Sequence, residues 1–262
     1  MRDYRVSNLF TREHDFWWLK LPFQNNESYS CLKFIEESFS QLEKITEDSI
    51  WETQFNFWQN ELNKIIQLEQ PLHPSSINLL DFEKKYPLSI KKIITTFNTF
   101  EKNKSRIESV RHLLNEVSQR GAYLELVFLE IEKTQCAQMC LSNLITCYEL
   151  IKMLENLKFI LNNRHYLPQD WDQLEHTQII QFILKLTIEQ FNLALSKSKK
   201  IKISKNLRFF IHQLSTMIDI FIESQELLLT HKIYLSWQSK SSILIKQYFQ
   251  IEALDKSLNF EE

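Results

Sequence analysis

Carboxylates are the groups in this sequence most able to do chemistry, and they crowd into the first half of the stretch Phe34–Ile66. There Glu36, Glu37, Glu43 and Glu47 surround Phe39. Acidic side chains four apart on a helix share a face. A pair of such faces can hold a divalent cation that clamps a phosphate or activates a leaving group. The same residues on a solvated helix only keep it in water. Thiols are the second candidate set. Cys136, Cys140 and Cys147 fall at i, i+4 and i+11, one helical stripe. A structural zinc site needs four ligands and usually a tighter cysteine pair. No CxxC occurs and the nearest histidine in sequence is His165, so the stripe reads as small core residues of a packed helix. Cys31 completes a sparse cysteine set that fits a reducing compartment. His73, His112, His165, His176, His212 and His231 show no ligand spacing and read as surface or capped-core residues. HExxH, GxSxG and kinase glycine-loop patterns are absent from the sequence.

Composition narrows the field further. The chain has 262 residues and one glycine, Gly121. Phosphate loops of the P-loop or dinucleotide type need several glycines at fixed offsets, so both are excluded. Hairpin turns with positive φ are equally hard to build. With 31 basic and 33 acidic residues the net charge is −2, which gives no global attraction to nucleic acid or anionic membrane. The run SKSKKIKISK, Ser196–Lys205, holds five lysines, which could bind a phosphate or a membrane surface, but reads first as a solvated loop whose charge favours the C-terminus of the preceding helix. No window of about 18 apolar residues occurs, so no transmembrane helix is expected. Residues 1–14, MRDYRVSNLFTREH, mix basic groups with Asp3 and Glu13 and make a poor organelle-targeting signal; import information is short, or the numbered chain is a mature form.

The elements that must position these groups are helices. Trp51, Phe55, Trp58, Leu62 and Ile65 alternate spacings of four and three and stack on one face. The pattern predicts a helix over Tyr29–Lys44, then one capped near Thr46, Glu47 and Asp48 and running to Leu68. Pro71 and Pro74 break the chain, and a short helix is expected over Ser76–Tyr86. Leu88–Lys102 follows, then a long helical region Arg106–Lys133 interrupted by Gly121, where a glycine costs about 1 kcal/mol and marks a close contact or kink. Further helices are expected at Thr134–Asn163, Asp172–Lys197, Leu207–Leu229 and Ile233–Asp255. No strand pattern persists and no Pro-, Gly- or Ser-rich linker divides the chain. The reading is a single all-α domain over residues 15–258, a bundle-like globule.

Several local patterns then fall into an order. DFWWLKLP (Asp15–Pro22), FIEESFSQLE (Phe34–Glu43), ITEDSIWETQFNFWQNELNKI (Ile45–Ile65) and PLHP (Pro71–Pro74), followed by NNRHYLP (Asn162–Pro168) and SWQSK (Ser236–Lys240), together resemble the squalene/phytoene synthase family. The nearest likeness is to its non-catalytic mitochondrial branch, the complex I assembly factor 6 group. The resemblance rests on the Phe57-Trp58 pair that ends the third motif, on Glu47 and Ile50 ahead of it, and on the basic-aromatic-Leu-Pro and Trp-basic segments further along. It implies an all-α fold of the isoprenoid synthase type. Active members condense prenyl diphosphates with two D-x-x-x-D motifs that hold Mg²⁺, helped by nearby arginines.

Carried over residue by residue, both clamps are half dismantled. The first motif falls on Phe39 to Glu43 and keeps one carboxylate, Glu43, while the arginine position carries Glu36, whose charge repels diphosphate. The second falls on Glu155 to Phe159 and keeps only Glu155, with Leu154 at the arginine position. The resemblance therefore implies a pseudoenzyme with no catalytic residue, metal or cofactor. It would sit in mitochondria on the matrix side of the inner membrane, as a respiratory complex I assembly factor or an accessory subunit of a respiratory complex. Its partners would be subunits of such a complex, with peripheral membrane contact, no nucleic acid and no transmembrane helix. Trp17 and Trp18 form a candidate contact patch, against burial under the N-terminal segment. An active prenyltransferase with degenerate motifs and a helical scaffold or lipid-binding protein remain as alternatives, the last favoured by 19 phenylalanines and six tryptophans that could line a cavity.

Overall fold

The computed structural model describes residues 33–35, 37–38, 41–42, 45, 47–87, 89–99, 106–126, 128, 134–162, 166–199, 201 and 205–223. Among these, all regular structure is helical. The α-helices are α1 (Asp48–Ile66), α2 (Pro74–Lys85), α3 (Ser89–Asn98), α4 (Val110–Arg120), α5 (Gln135–Glu155), α6 (Leu157–Asn162), α7 (His176–Ser198) and α8 (Lys205–Glu223), with 3₁₀ turns at Ala122–Leu126 and Gln169–Trp171. The described residues of the expected Tyr29–Lys44 helix, at 33–35, 37–38 and 41–42, are helical too. The chain divides into two compact units, one of Met1–Leu129 with Asn162–Asp172, the other of Glu130–Leu161 with Gln173–Glu262.

In the first unit, α1 buries Phe55, Trp58, Leu62 and Ile65 on one stripe, as their spacing requires. Trp58 is fully buried and meets Phe34 edge to face at 5.3 Å. Phe55 stacks on Phe97 of α3 at 4.7 Å. A large aromatic so enclosed is worth about 3–5 kcal/mol against alanine. The helix starts at Asp48 with Glu47 in the N-cap position, whose side chain makes no cap bond. Its carboxylate accepts from the Ser49 hydroxyl at 2.8 Å instead.

Two expectations for this unit change. The Ser76–Tyr86 helix begins earlier, because Pro74 occupies its first turn, where the missing N–H is no loss and the fixed φ suits a helix. The expected Arg106–Lys133 region is shorter as a helix: α4 stops at Arg120. Gly121 is therefore not a lesion inside a helix. It is the C-cap, with φ −86, and uses none of glycine's conformational freedom. It is buried in a turn that the Thr96 hydroxyl ties to α3, donating to the Gln119 carbonyl at 3.3 Å and accepting from the Tyr123 N–H at 3.1 Å. Behind it, Arg106 pairs with Asp172, and the Gln169 N–H donates to the Ile107 carbonyl at 3.1 Å.

In the second unit, α5 packs against α7, its early turns beside the late turns of α7, where the Cys140 thiol approaches the Ala194 carbonyl at 3.4 Å. Every residue from Leu144 to Leu154 is buried, so α5 is enclosed on all sides there. Tyr148 lies 5.9 Å from Phe210 of α8. The Thr134 hydroxyl caps α5, accepting from the Ala137 N–H at 3.2 Å. A capping box made by Glu175 and Gln178 starts α7 at His176, later than the Asp172 expected. The lysine-rich run is less of a loop than expected. α7 continues through Lys197 to Ser198, and α8 resumes at Lys205.

Candidate functional site

Of the sequence-chosen positions, Glu36, Phe39, Glu43, Trp17 and Trp18 lie outside the described residues, as do Trp237 and the expected Ile233–Asp255 helix. The second motif is described in part. Leu154 is 1% exposed on α5. Glu155 is half-buried and is the last residue of α5. Asn156 then adopts φ −107, ψ 24, and Phe159 belongs to α6. Glu155 and residue 159 are thus split by a turn, so the four-residue spacing does not lie along one continuous helix.

Among the described residues, no group of three or more His, Cys, Asp or Glu side chains is placed to hold a metal ion. Cys140 and Cys147 are core residues, as the stripe implied, and burial pushes the Cys140 thiol up to about 11 and the Cys147 thiol further still. Cys136 on the same stripe is half-exposed.

The densest polar arrangement lies where α1 meets the start of α2. Glu61 is 1% exposed. Its carboxylate accepts from the Leu72 N–H at 3.1 and 2.9 Å, from the His73 N–H at 2.7 Å and from the Lys64 ammonium at 3.1 Å. Burial pushes the Glu61 carboxyl up, yet the bonds from His73, Leu72, Lys64 and Ser76 outweigh it and hold it below the usual 4.5. His73 is the N-cap of α2. Its Nδ1 accepts from the Ser75 N–H at 3.3 Å and lies 2.8 Å from the Ser75 hydroxyl. The imidazole stands edge-on to Trp58 at 4.7 Å, and the Glu37 carboxylate is 3.8 Å from the same Nδ1. Serine, histidine and glutamate are thus close together. Both oxygens approach the same ring nitrogen, whereas a nucleophilic triad uses opposite nitrogens. Ser75 is also 1% exposed. The cluster is a helix-capping device, not a hydrolytic centre.

Beside it runs an open groove of about 490 Å³, lined by Phe57, Asn60, Glu61, Asn63, Lys64, Gln67 and Leu72. Its outer lip is the end of α1. The Leu68 N–H donates to the Ile65 carbonyl at 3.0 Å and the Glu69 N–H to the Lys64 carbonyl at 2.8 Å, the bond pair of a Schellman motif. The motif places Leu68 at φ 58, in the left-handed region where glycine is usual. The sequence contained one signal for this junction. PLHP puts a histidine directly before a proline that can open a helix, which is an N-cap position, but scattered histidines carry no spacing that separates a cap from a surface residue.

No family model matches the chain, and no curated protein is significantly similar to it. What the described residues define is an all-α protein in which no helix is long and apolar enough to cross a membrane.

Proposed function

We propose that this chain is a catalytically silent protein with a fold of the squalene/phytoene synthase type. It acts in mitochondria, on the matrix side of the inner membrane, as a respiratory complex I assembly factor or an accessory subunit of a respiratory complex. The ordered motifs from Asp15–Pro22 to Ser236–Lys240 support the family reading. The observation that carries the silent reading is the second clamp. An arginine there would sit at a diphosphate, but the position holds a buried Leu154, and a turn at Asn156 parts Glu155 from Phe159. In the motif that the resemblance implies, two carboxylates four residues apart share one helix face. This stretch supplies one, at a helix end.

The test is to tag the protein, isolate native membrane complexes, and identify what co-migrates with it. The expected result is recovery with complex I or its assembly intermediates. Absence from every mitochondrial complex overturns the reading.

A further inference from the structure

We propose that the groove between the second half of α1 and the Leu68–His73 loop binds an extended, uncharged peptide segment of a protein partner, with one apolar side chain seated between Phe57 and Leu72. The proposal goes beyond the family reading and does not depend on it.

The groove's polar face matches a peptide backbone. Asn60 and Asn63 of α1 and its C-cap Gln67 follow one another at i, i+3 and i+7, and all three line the groove. All three are exposed. Each carboxamide offers both a donor and an acceptor, the same pair that a peptide group presents. Among the described residues, no side-chain hydrogen bond engages these three carboxamides.

The charge in the groove is already balanced. The Glu61 carboxylate and the Lys64 ammonium lie 3.1 Å apart, and two backbone N–H groups also occupy the carboxylate. A charged ligand gains no unpaired counter-charge there, whereas a neutral one with peptide-like polarity leaves the pair intact.

Of the two apolar walls, Phe57 is half-buried and Leu72 is exposed. Leu72 is 74% exposed, and its N–H is fastened to Glu61. Leu68 occupies a left-handed backbone position that costs a non-glycine residue about 1–2 kcal/mol.

The test uses the full chain, isotopically labelled, and follows the side-chain amide signals of Asn60, Asn63 and Gln67 by NMR. The probe is N-acetyl-leucine N-methylamide, which carries two peptide groups and one apolar side chain. N-acetyl-glycine N-methylamide serves as the probe without the side chain, and N-acetylglucosamine as the saccharide alternative. The capped leucine is expected to shift all three signals saturably, with affinity on the order of millimolar for so small a ligand. The exposed-site variants Asn63→Ala and Leu72→Ala are expected to weaken it by about three- to tenfold. Absence of saturable shifts up to the solubility limit overturns the proposal. So does capped glycine binding as well as capped leucine, binding by the saccharide alone, or capped-leucine binding that neither variant changes.

Discussion

The Glu61 carboxylate and the backbone N–H of His73 meet at 2.7 Å, and this one bond makes the end of α1 and the start of α2 a single structural unit. The same oxygen accepts from the Leu72 N–H at 2.9 Å and the other oxygen accepts from it at 3.1 Å, which fastens the residue before His73. α2 therefore begins with two caps in series: His73, the N-cap, satisfies the Ser75 N–H, and Glu61 satisfies the Leu72 and His73 N–H groups. A carboxylate at a helix N-terminus also meets the positive end of the helix dipole.

Replacing Glu61 by alanine should destabilise the protein by about 2–6 kcal/mol, because the Leu72 and His73 N–H groups each lose their acceptor at a cost of roughly 1–3 kcal/mol. Glu61→Gln keeps one acceptor oxygen and should cost less. Urea denaturation of the two variants checks the order. An alanine variant as stable as the parent contradicts the role assigned to this bond.

Acid should undo the same contact. The folded Glu61 carboxyl lies below its ordinary value of 4.5, so its contribution to stability is present above that value and is lost as pH falls through the folded one. Melting temperature measured from neutral pH down into the acid range should therefore fall more steeply for the parent than for Glu61→Gln. Parallel curves for the two proteins contradict the assignment.

Leu68→Gly should stabilise the protein, by about 1 kcal/mol, because glycine reaches φ 58 without a Cβ penalty while the Schellman bonds stay in place. Leu68→Ala keeps the Cβ and should gain little. Equal melting temperatures for the glycine and alanine variants would show that the position carries no strain.

Alkylation should distinguish the three cysteines of the α5 stripe. In a Cys31→Ser background, iodoacetamide applied to the native protein at mildly alkaline pH should modify Cys136 first. Cys140 and Cys147 are buried and their thiols are raised, to about 11 in the case of Cys140, so little thiolate is present. Peptide mass mapping reads the order, and early modification of Cys147 contradicts its burial.

The helices were legible because periodic apolar residues carry their own register. Phe55, Trp58, Leu62 and Ile65 needed only their spacing to be placed on one buried face. The boundaries were less legible where one residue type has two uses. Pro74 can break a chain or open a helix, and only the His73 cap decides between them. Gly121 can sit inside a helix or end one, and here the Thr96 hydroxyl closes the turn around it from 25 residues away in sequence. The α1–α2 junction was hidden for the same reason. Glu61 lies on a helix rich in polar residues, and the N–H groups that bind it come from Leu72 and His73, eleven and twelve residues further on. At the second motif the residue types were plain from the sequence, while the turn at Asn156 that separates them was not.

That turn bears on turnover. Geranylgeranyl or farnesyl diphosphate incubated with the purified chain and Mg²⁺ should yield no condensed product. Diphosphate activation needs cations held by paired carboxylates, and the stretch after Leu154 presents a single carboxylate, Glu155, at the end of α5. Phe159→Asp should not restore Mg²⁺-dependent binding of the diphosphate, because residue 159 belongs to α6, beyond the turn at Asn156 that ends the helix carrying Glu155. Radiolabelled substrate and product chromatography measure the first outcome, and calorimetric titration of the variant measures the second. Product formed by the parent chain overturns the silent reading. Metal-dependent binding gained by Phe159→Asp instead shows that the turn leaves the two positions aligned.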